Sequence, residues 1–213
     1  MQQYYSRRAS EYERIYHRDD PVRSKELADL EREMTNALQG RRVLEVACGT
    51  GYWTERAAKS ADHVTACDLT PETLDIAASK SLPSAKVRFL QADAYALERV
   101  PGTYDAGLAN FWLSHVPKAR IGEFVTGLHA RLDSGAVVYM ADNCYVEGVG
   151  GELLHKDGEE DTYKLRTLAD GSRHEVLKNY YNSDELTALF SPYAADLHVR
   201  AATCFWSVRY RLR

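Results

Sequence analysis

The sequence predicts an α/β protein, a doubly wound and mostly parallel sheet of seven strands closed by an antiparallel edge at its C-terminal end. Short apolar, β-branched runs alternate with helix-period segments between residues 40 and 143, and parallel neighbours need such crossover connections. The last two strand-like runs follow one another without a helix between them, as antiparallel neighbours do. A glycine pair, Gly49 and Gly51, breaks the chain directly after the first run.

Ahead of the alternation, Tyr5, Ala9, Tyr12 and Tyr16 share one helical face, and Asp20 followed by Pro21 restarts a helix. That second helix carries Leu27, Leu30, Met34 and Leu38 on one side and stops at Gly40, a C-terminal signal. Residues 1–39 therefore read as a helical cover over a core at 40–143. In the core, strands are expected in "RRVLEVAC", "HVTACD", "KVRFLQAD", "YDAGLANF" and "GAVVYMADN". The helices between them include "YWTERAAKSA", "TPETLDIAASK" with Thr70 as N-cap and Pro71 at the first helical position, and "KARIGEFVTGLHARL". Residues 144–182 break the pattern as an insertion: a Gly-rich acidic stretch, then a β-hairpin whose two runs flank "ADGS". Residues 183–213 return to one helix and two strands. No internal repeat or low-complexity linker divides the chain, so a single domain is expected.

With 213 residues, 45% apolar and 27% charged content and a formal net charge of -4, the composition is that of a water-soluble globular chain. An acidic balance offers no broad attraction for nucleic acid or anionic lipid. The four cysteines have no Cys-x-x-Cys spacing, and neither a signal-like apolar segment nor a membrane-length run is visible. A cytoplasmic location and a small-molecule partner are the expectations; nucleic acid, membrane and metal are not expected.

In "VLEVACGTGYWTERAA" an acid, Glu45, precedes Ala47, Gly49 and Gly51. Glycine bares the main chain to a ligand, and the helix behind it presents unpaired N–H groups. A phosphate-binding loop would need Gly-Lys-Ser/Thr, which is missing. A dinucleotide loop would want a small residue where Thr54 stands. Asp68, ending the second strand, can accept both hydrogen bonds of a ribose diol. Together these features favour a nucleoside without phosphates.

The segment from 40 to 143 resembles the class I S-adenosylmethionine-dependent methyltransferases of the small-molecule branch. Its "EVACGTG" matches their Asp/Glu-x-Gly-x-Gly-x-Gly motif with Ala47 in place of the first glycine, and "QADAY" and "YDAGLANFW" match later motifs in order and spacing. The resemblance implies a Rossmann-like fold and S-adenosylmethionine as donor, leaving S-adenosylhomocysteine. It places Glu45, Ala47, Gly49, Gly51, Asp68 and Leu69 around the methionine and ribose, Asp93 and Ala94 at the adenine, and Asn110 and Phe111 at the fourth-strand wall. Tyr5 is the expected contact from a lid over the donor, and Trp53 either walls the pocket or packs its helix.

Methyl transfer from a sulfonium needs alignment and exclusion of water, and an acceptor that must lose a proton gains from a nearby base. His115, in "FWLSHVP", is the candidate base, with Trp112 and Tyr145 as acceptor contacts; Asp142 and Asn143, ending the fifth strand, either orient His115, bind the acceptor or cap the next segment. His155, Arg166, His174 and Lys178 of the insertion are available to an anionic acceptor. The hairpin leaves two uses open, covering the acceptor or pairing its edge in a homodimer. "ANFW" departs from the Asn-Pro-Pro-Tyr type of motif, which argues against DNA or protein-glutamine acceptors. The expected activity is methyl transfer to an oxygen or nitrogen of a small molecule. The alternatives are a non-catalytic S-adenosylmethionine-binding protein or partner subunit and, disfavoured by Thr54, a nucleotide-dependent oxidoreductase.

Overall fold

The computed structural model describes Glu13, Tyr16 and residues 19–167 and 171–213. The expected lid contact Tyr5, with Ala9 and Tyr12, lies outside the described residues, as does the hairpin turn at 168–170.

Among the described residues, ten strands and five α-helices follow in order. Helix α1 (Pro21–Ala37) precedes β1 (Arg42–Val46), α2 (Tyr52–Ala57), β2 (His63–Asp68), α3 (Pro71–Ser79) and β3 (Val87–Gln91). Then come β4 (Tyr104–Asn110), α4 (Ile121–His129) and β5 (Leu132–Asn143). The insertion contributes β6 (Leu153–His155), β7 (Thr162–Thr167) and β8 (Arg173–Leu177), and the chain closes with α5 (Ser183–Phe190), β9 (Ala194–Ala201) and β10 (Phe205–Leu212). Seven strands form one sheet in the order β3-β2-β1-β4-β5-β10-β9. The first five are parallel, and β10 runs antiparallel between β5 and β9. The strand order reverses direction between β1 and β4, so the carboxyl ends of those strands open onto a crevice.

Side chains alternate across the sheet, which is why the strands are apolar on both faces. Leu44, Val138 and Met140 point into one core with Phe124 and Leu128 of α4 and Leu186 and Phe190 of α5. Val43, Tyr139 and Ala141 point into the other with Leu27, Leu30 and Met34 of α1 and Trp53 of α2. Helix α1 starts where Asp20 caps it, accepting from the Arg23 N–H at 3.0 Å. Its buried Glu26 accepts the backbone N–H groups of Thr203, Cys204 and Phe205 at 3.0, 2.8 and 3.2 Å, so it fastens the cover to the β9–β10 turn.

Two elements differ from the sequence reading. The helix expected over 118–132 begins with a 3-10 turn at Lys118–Arg120 and ends at His129, and the residues from Leu132 onward join β5. The acidic stretch before the hairpin also contains β6, which pairs with β7 and makes the insertion a three-stranded antiparallel sheet. Gly151 permits that contact: a Cβ there would stand 2.3 Å from the Leu165 carbonyl oxygen.

Candidate functional site

The crevice holds a cavity of about 310 Å³ lined by main chain and side chains from four strand ends. One wall is the loop after β1, where Ala47, Gly49 and Gly51 take φ of 57°, 55° and 77°. Ala47 thus occupies the left-handed region that its family counterpart glycine reaches without strain. An alanine there costs about 1–2 kcal/mol. Phe111, just past β4, is also left-handed at φ 58° and donates its N–H to the Ala141 carbonyl at 2.7 Å. Ala47 and Phe111 both line the cavity, and strain held by surrounding packing is a mark of functional sites.

Asp68 is organised before any ligand arrives. Its Oδ2 accepts the Gly49 N–H at 2.9 Å, and its Oδ1 accepts the Thr70 N–H at 2.9 Å and the Thr73 hydroxyl at 3.2 Å. Thr70 therefore marks the start of α3 through its backbone; its side chain makes no cap hydrogen bond. Asp93 forms a tight turn by accepting the Tyr95 N–H at 2.9 Å. Leu69, Thr70, Thr73, Ala92, Ala94 and Tyr95 complete this end of the cavity.

Trp112 and His115, from the segment after β4, and Arg120, beside Tyr95, also line the cavity. Arg120 lies over the Tyr95 ring at 3.6 Å and grips Glu123 through two hydrogen bonds of 2.7 and 2.8 Å. Two polar atoms of cavity-lining residues, the Tyr95 hydroxyl and the Trp112 Nε1, are buried without a partner. Such groups are costly unless a ligand or water completes them.

His115 sits on a 3-10 turn (Leu113–His115) that is tied down from below. Its Nδ1 lies 2.7 Å from the Leu177 carbonyl; because that oxygen can only accept, Nδ1 carries the hydrogen and Nε2 is the acceptor nitrogen. Burial, reinforced by the Lys178 charge, pushes the imidazole down to about 3, so it is neutral. Asp142 and His115 feel each other's charge. Asp142 accepts the Ser114 N–H at 3.1 Å, the Asn143 N–H at 2.8 Å and Nδ2 at 3.0 Å, and pairs with the Lys178 Nζ at 2.9 Å. Burial alone would raise the Asp142 carboxyl, but the Lys178 ammonium and its other donors hold it at about 2. Asp142 is thus a positioning group that fixes the turn carrying His115.

Of the residues expected at the donor, Ala47, Gly49, Asp68, Leu69, Asp93, Ala94 and Phe111 line the cavity. Trp53 does not: it is buried behind Phe111, with the rings stacked at 5.7 Å. Asn110 is buried and donates its Nδ2 to the Met34 sulfur at 3.4 Å, facing away towards α1. Gly51 turns the chain, with room for no more than a hydrogen, since a Cβ would meet the Ala77 Cβ at 3.0 Å. Glu45 lies beneath the loop, 2% exposed, with Oε2 unpartnered. Burial raises its carboxyl to about 8. Asn143 is held by Asp142, and Tyr145 packs against Tyr180 with ring centroids 5.3 Å apart; neither is among the residues lining the cavity. The sequence reading did not name Thr70, Thr73, Ala92, Tyr95 or Arg120 as site residues. Thr73 had a signal in its helical spacing from Thr70, whereas nothing local marked Arg120.

Comparison with known proteins agrees with this geometry. Residues 43–135 match a family described as "Methyltransferase domain". A malonyl-[acyl-carrier protein] O-methyltransferase of Paenibacillus sp. (strain JDR-2) is 33% identical over 150 residues, 64% of this chain and 53% of that protein. The chain spans about half the length of the first curated relatives it matches. Among solved structures, the DhpI–SAH complex superposes with a TM-score of 0.77 at 30% identity, covering 99% of this chain and 94% of that one. The DhpI–SAM–HEP complex gives 0.77 at 28%, covering 97% and 94%. The chain belongs to the class I S-adenosylmethionine-dependent methyltransferases. No helix among the described residues is long and apolar enough to cross a membrane.

Proposed function

We propose that the chain transfers the methyl group of S-adenosylmethionine to an oxygen or nitrogen of a small-molecule acceptor by in-line displacement. The observation that carries the proposal is the cavity itself: bared main chain at Gly49 and a pre-ordered carboxylate at Asp68 line it together with Trp112 and His115. Asp68 has unused lone pairs for the ribose hydroxyls, and Asp93 with Ala94 forms the adenine side. When bound, the donor supplies an electrophilic methyl on a sulfonium whose charge disappears on transfer. The residues of this chain align it and exclude water.

The role given to His115 follows from its environment. A base whose conjugate acid is this acidic removes protons poorly. The neutral ring is better suited to accept a hydrogen bond at Nε2 and orient the acceptor, which favours a nucleophile that arrives without a proton to lose. Incubation with S-adenosylmethionine and a panel of small acids, amines and alcohols tests the reading. Acceptor-dependent release of S-adenosylhomocysteine is expected. Tight donor binding with no turnover across the panel would favour the non-catalytic alternative.

A further inference from the structure

We propose that the acceptor carries an oxyanion, a carboxylate or phosphate-type group, that seats on Arg166 and Lys164 beneath Tyr145 and Tyr180. This names a substrate class for the function proposed above and rests on that reading.

Three cations from the insertion sheet gather behind His115 with one carboxylate among them. Lys178 uses that carboxylate, pairing with Asp142 at 2.9 Å and donating to the Ser114 hydroxyl at 2.6 Å. Lys164 is 1% exposed, and among the described residues its Nζ donates to carbonyl oxygens alone, Gly151 at 2.8 Å and Val149 at 3.4 Å. Arg166, half-buried two residues along β7, has no hydrogen bond or ion pair among the described residues. The Tyr180 ring binds the group together, 5.9 Å from both Lys164 and Lys178, and the Tyr145 ring lies 5.2 Å from Lys164. Gly150 lies against the guanidinium, where a Cβ would come within 2.6 Å of an Arg166 terminal nitrogen.

Burial and the neighbouring charges of Arg166 and Lys178 lower the Lys164 pKa, and the same two cations help to depress His115. Like charges concentrated in a poorly hydrated place are costly unless an anion completes them. A carboxylate or phosphate matches the planar guanidinium fork. The group adjoins the reacting end of the donor cavity, because Lys178 grips the residue next to His115. Of the insertion residues expected to meet an anion, Arg166 and Lys178 belong to this cluster. His155 is an exposed β6 residue, and His174 bonds Ser172 at 2.9 Å on the hairpin.

The test uses the full chain loaded with S-adenosylhomocysteine, whose own binding is measured first. Acetate and inorganic phosphate are then titrated separately at constant ionic strength, which distinguishes the two kinds of oxyanion. Saturable binding of at least one is expected. Affinity should fall about tenfold or more in Arg166→Gln and in Lys164→Met, the loss of one charge-assisted contact. It should not change in Lys156→Met, which removes an exposed hairpin cation. Lys164→Met keeps the buried stem, so the test survives if Arg166→Gln fails to fold. Binding of S-adenosylhomocysteine with no saturable anion binding, or anion affinity equal in all variants, overturns the oxyanion site and leaves the donor reading standing. Anion binding that depends on Arg166 in a chain that fails to bind S-adenosylhomocysteine supports the cation site while removing the donor reading.

Discussion

Replacing Asp68 by alanine should weaken donor binding through the ribose. The carboxylate enters the site with both oxygens already anchored, by Gly49, Thr70 and Thr73 at 2.9, 2.9 and 3.2 Å, so little ordering cost remains when a diol arrives. Two hydrogen bonds to a charged acceptor are worth about 1.5–3 kcal/mol each, and exchange with water trims the pair to about 2–4 kcal/mol. That corresponds to a dissociation constant for S-adenosylhomocysteine roughly 30- to 1,000-fold weaker. Because the substitution also releases the Gly49 N–H, calorimetry should be repeated with the 2′,3′-dideoxy analogue of the ligand. The penalty should shrink sharply for that analogue, as a double-mutant cycle requires for groups in direct contact. An equal penalty with both ligands, in a variant whose melting temperature shows it is folded, would refute the ribose assignment.

Four further outcomes follow from the same geometry. Ala47→Gly relieves a left-handed alanine against the entropy of glycine and should stabilise the chain by up to about 1 kcal/mol, read from the urea midpoint. Asp142→Asn leaves the Lys178 ammonium buried beside a neutral amide and should cost about 3–5 kcal/mol, a melting point lower by about 6–20 °C. Glu26→Ala strands the N–H groups of Thr203, Cys204 and Phe205 and should cost about 2–4 kcal/mol in the same assay. His115 and His129 are depressed by burial to about 3 and about 4, so each contributes stability in full above about pH 6.5 that is lost as pH falls through its folded value. At pH 5 each should account for about 2 kcal/mol of the loss, and His129→Phe should flatten the decline in urea midpoint between pH 7 and 4.

The parallel half of the fold was legible because each strand is buried on both faces and written as an apolar run, with Asp20, Pro21, Gly40 and Pro71 marking helix boundaries. Part of the cavity lining was legible for the same local reason: Gly49, Asp68 and Asp93 all sit at strand ends, around the crevice of a parallel sheet. Strand β6 was not, because three residues among glycines and acids show no periodicity until β7 supplies the partner edge. The place of Trp53 after the glycines left it open as pocket wall or helix packing, and the stacking against Phe111 decides for the core. Arg166 and Lys178 were legible as cations available to an anion, but Lys164 and the grouping of the three were not. Lys164, Arg166 and Lys178 alternate with apolar residues as solvent-facing charges would, and their burial depends on residues 114, 142, 149 and 151, all remote in sequence or on another element.

The central claim is that the bared loop after β1 and the carboxylate ending β2 jointly hold a sulfonium nucleoside with its sulfur turned towards Trp112 and His115. A crystal structure of the chain with S-adenosylhomocysteine tests it most directly. Density should run from the Gly49 main chain to Asp93, with both ribose hydroxyls within hydrogen-bond distance of Asp68 and the sulfur facing Trp112. A ligand lodged outside this cavity, or one whose ribose contacts no Asp68 oxygen, would contradict the account.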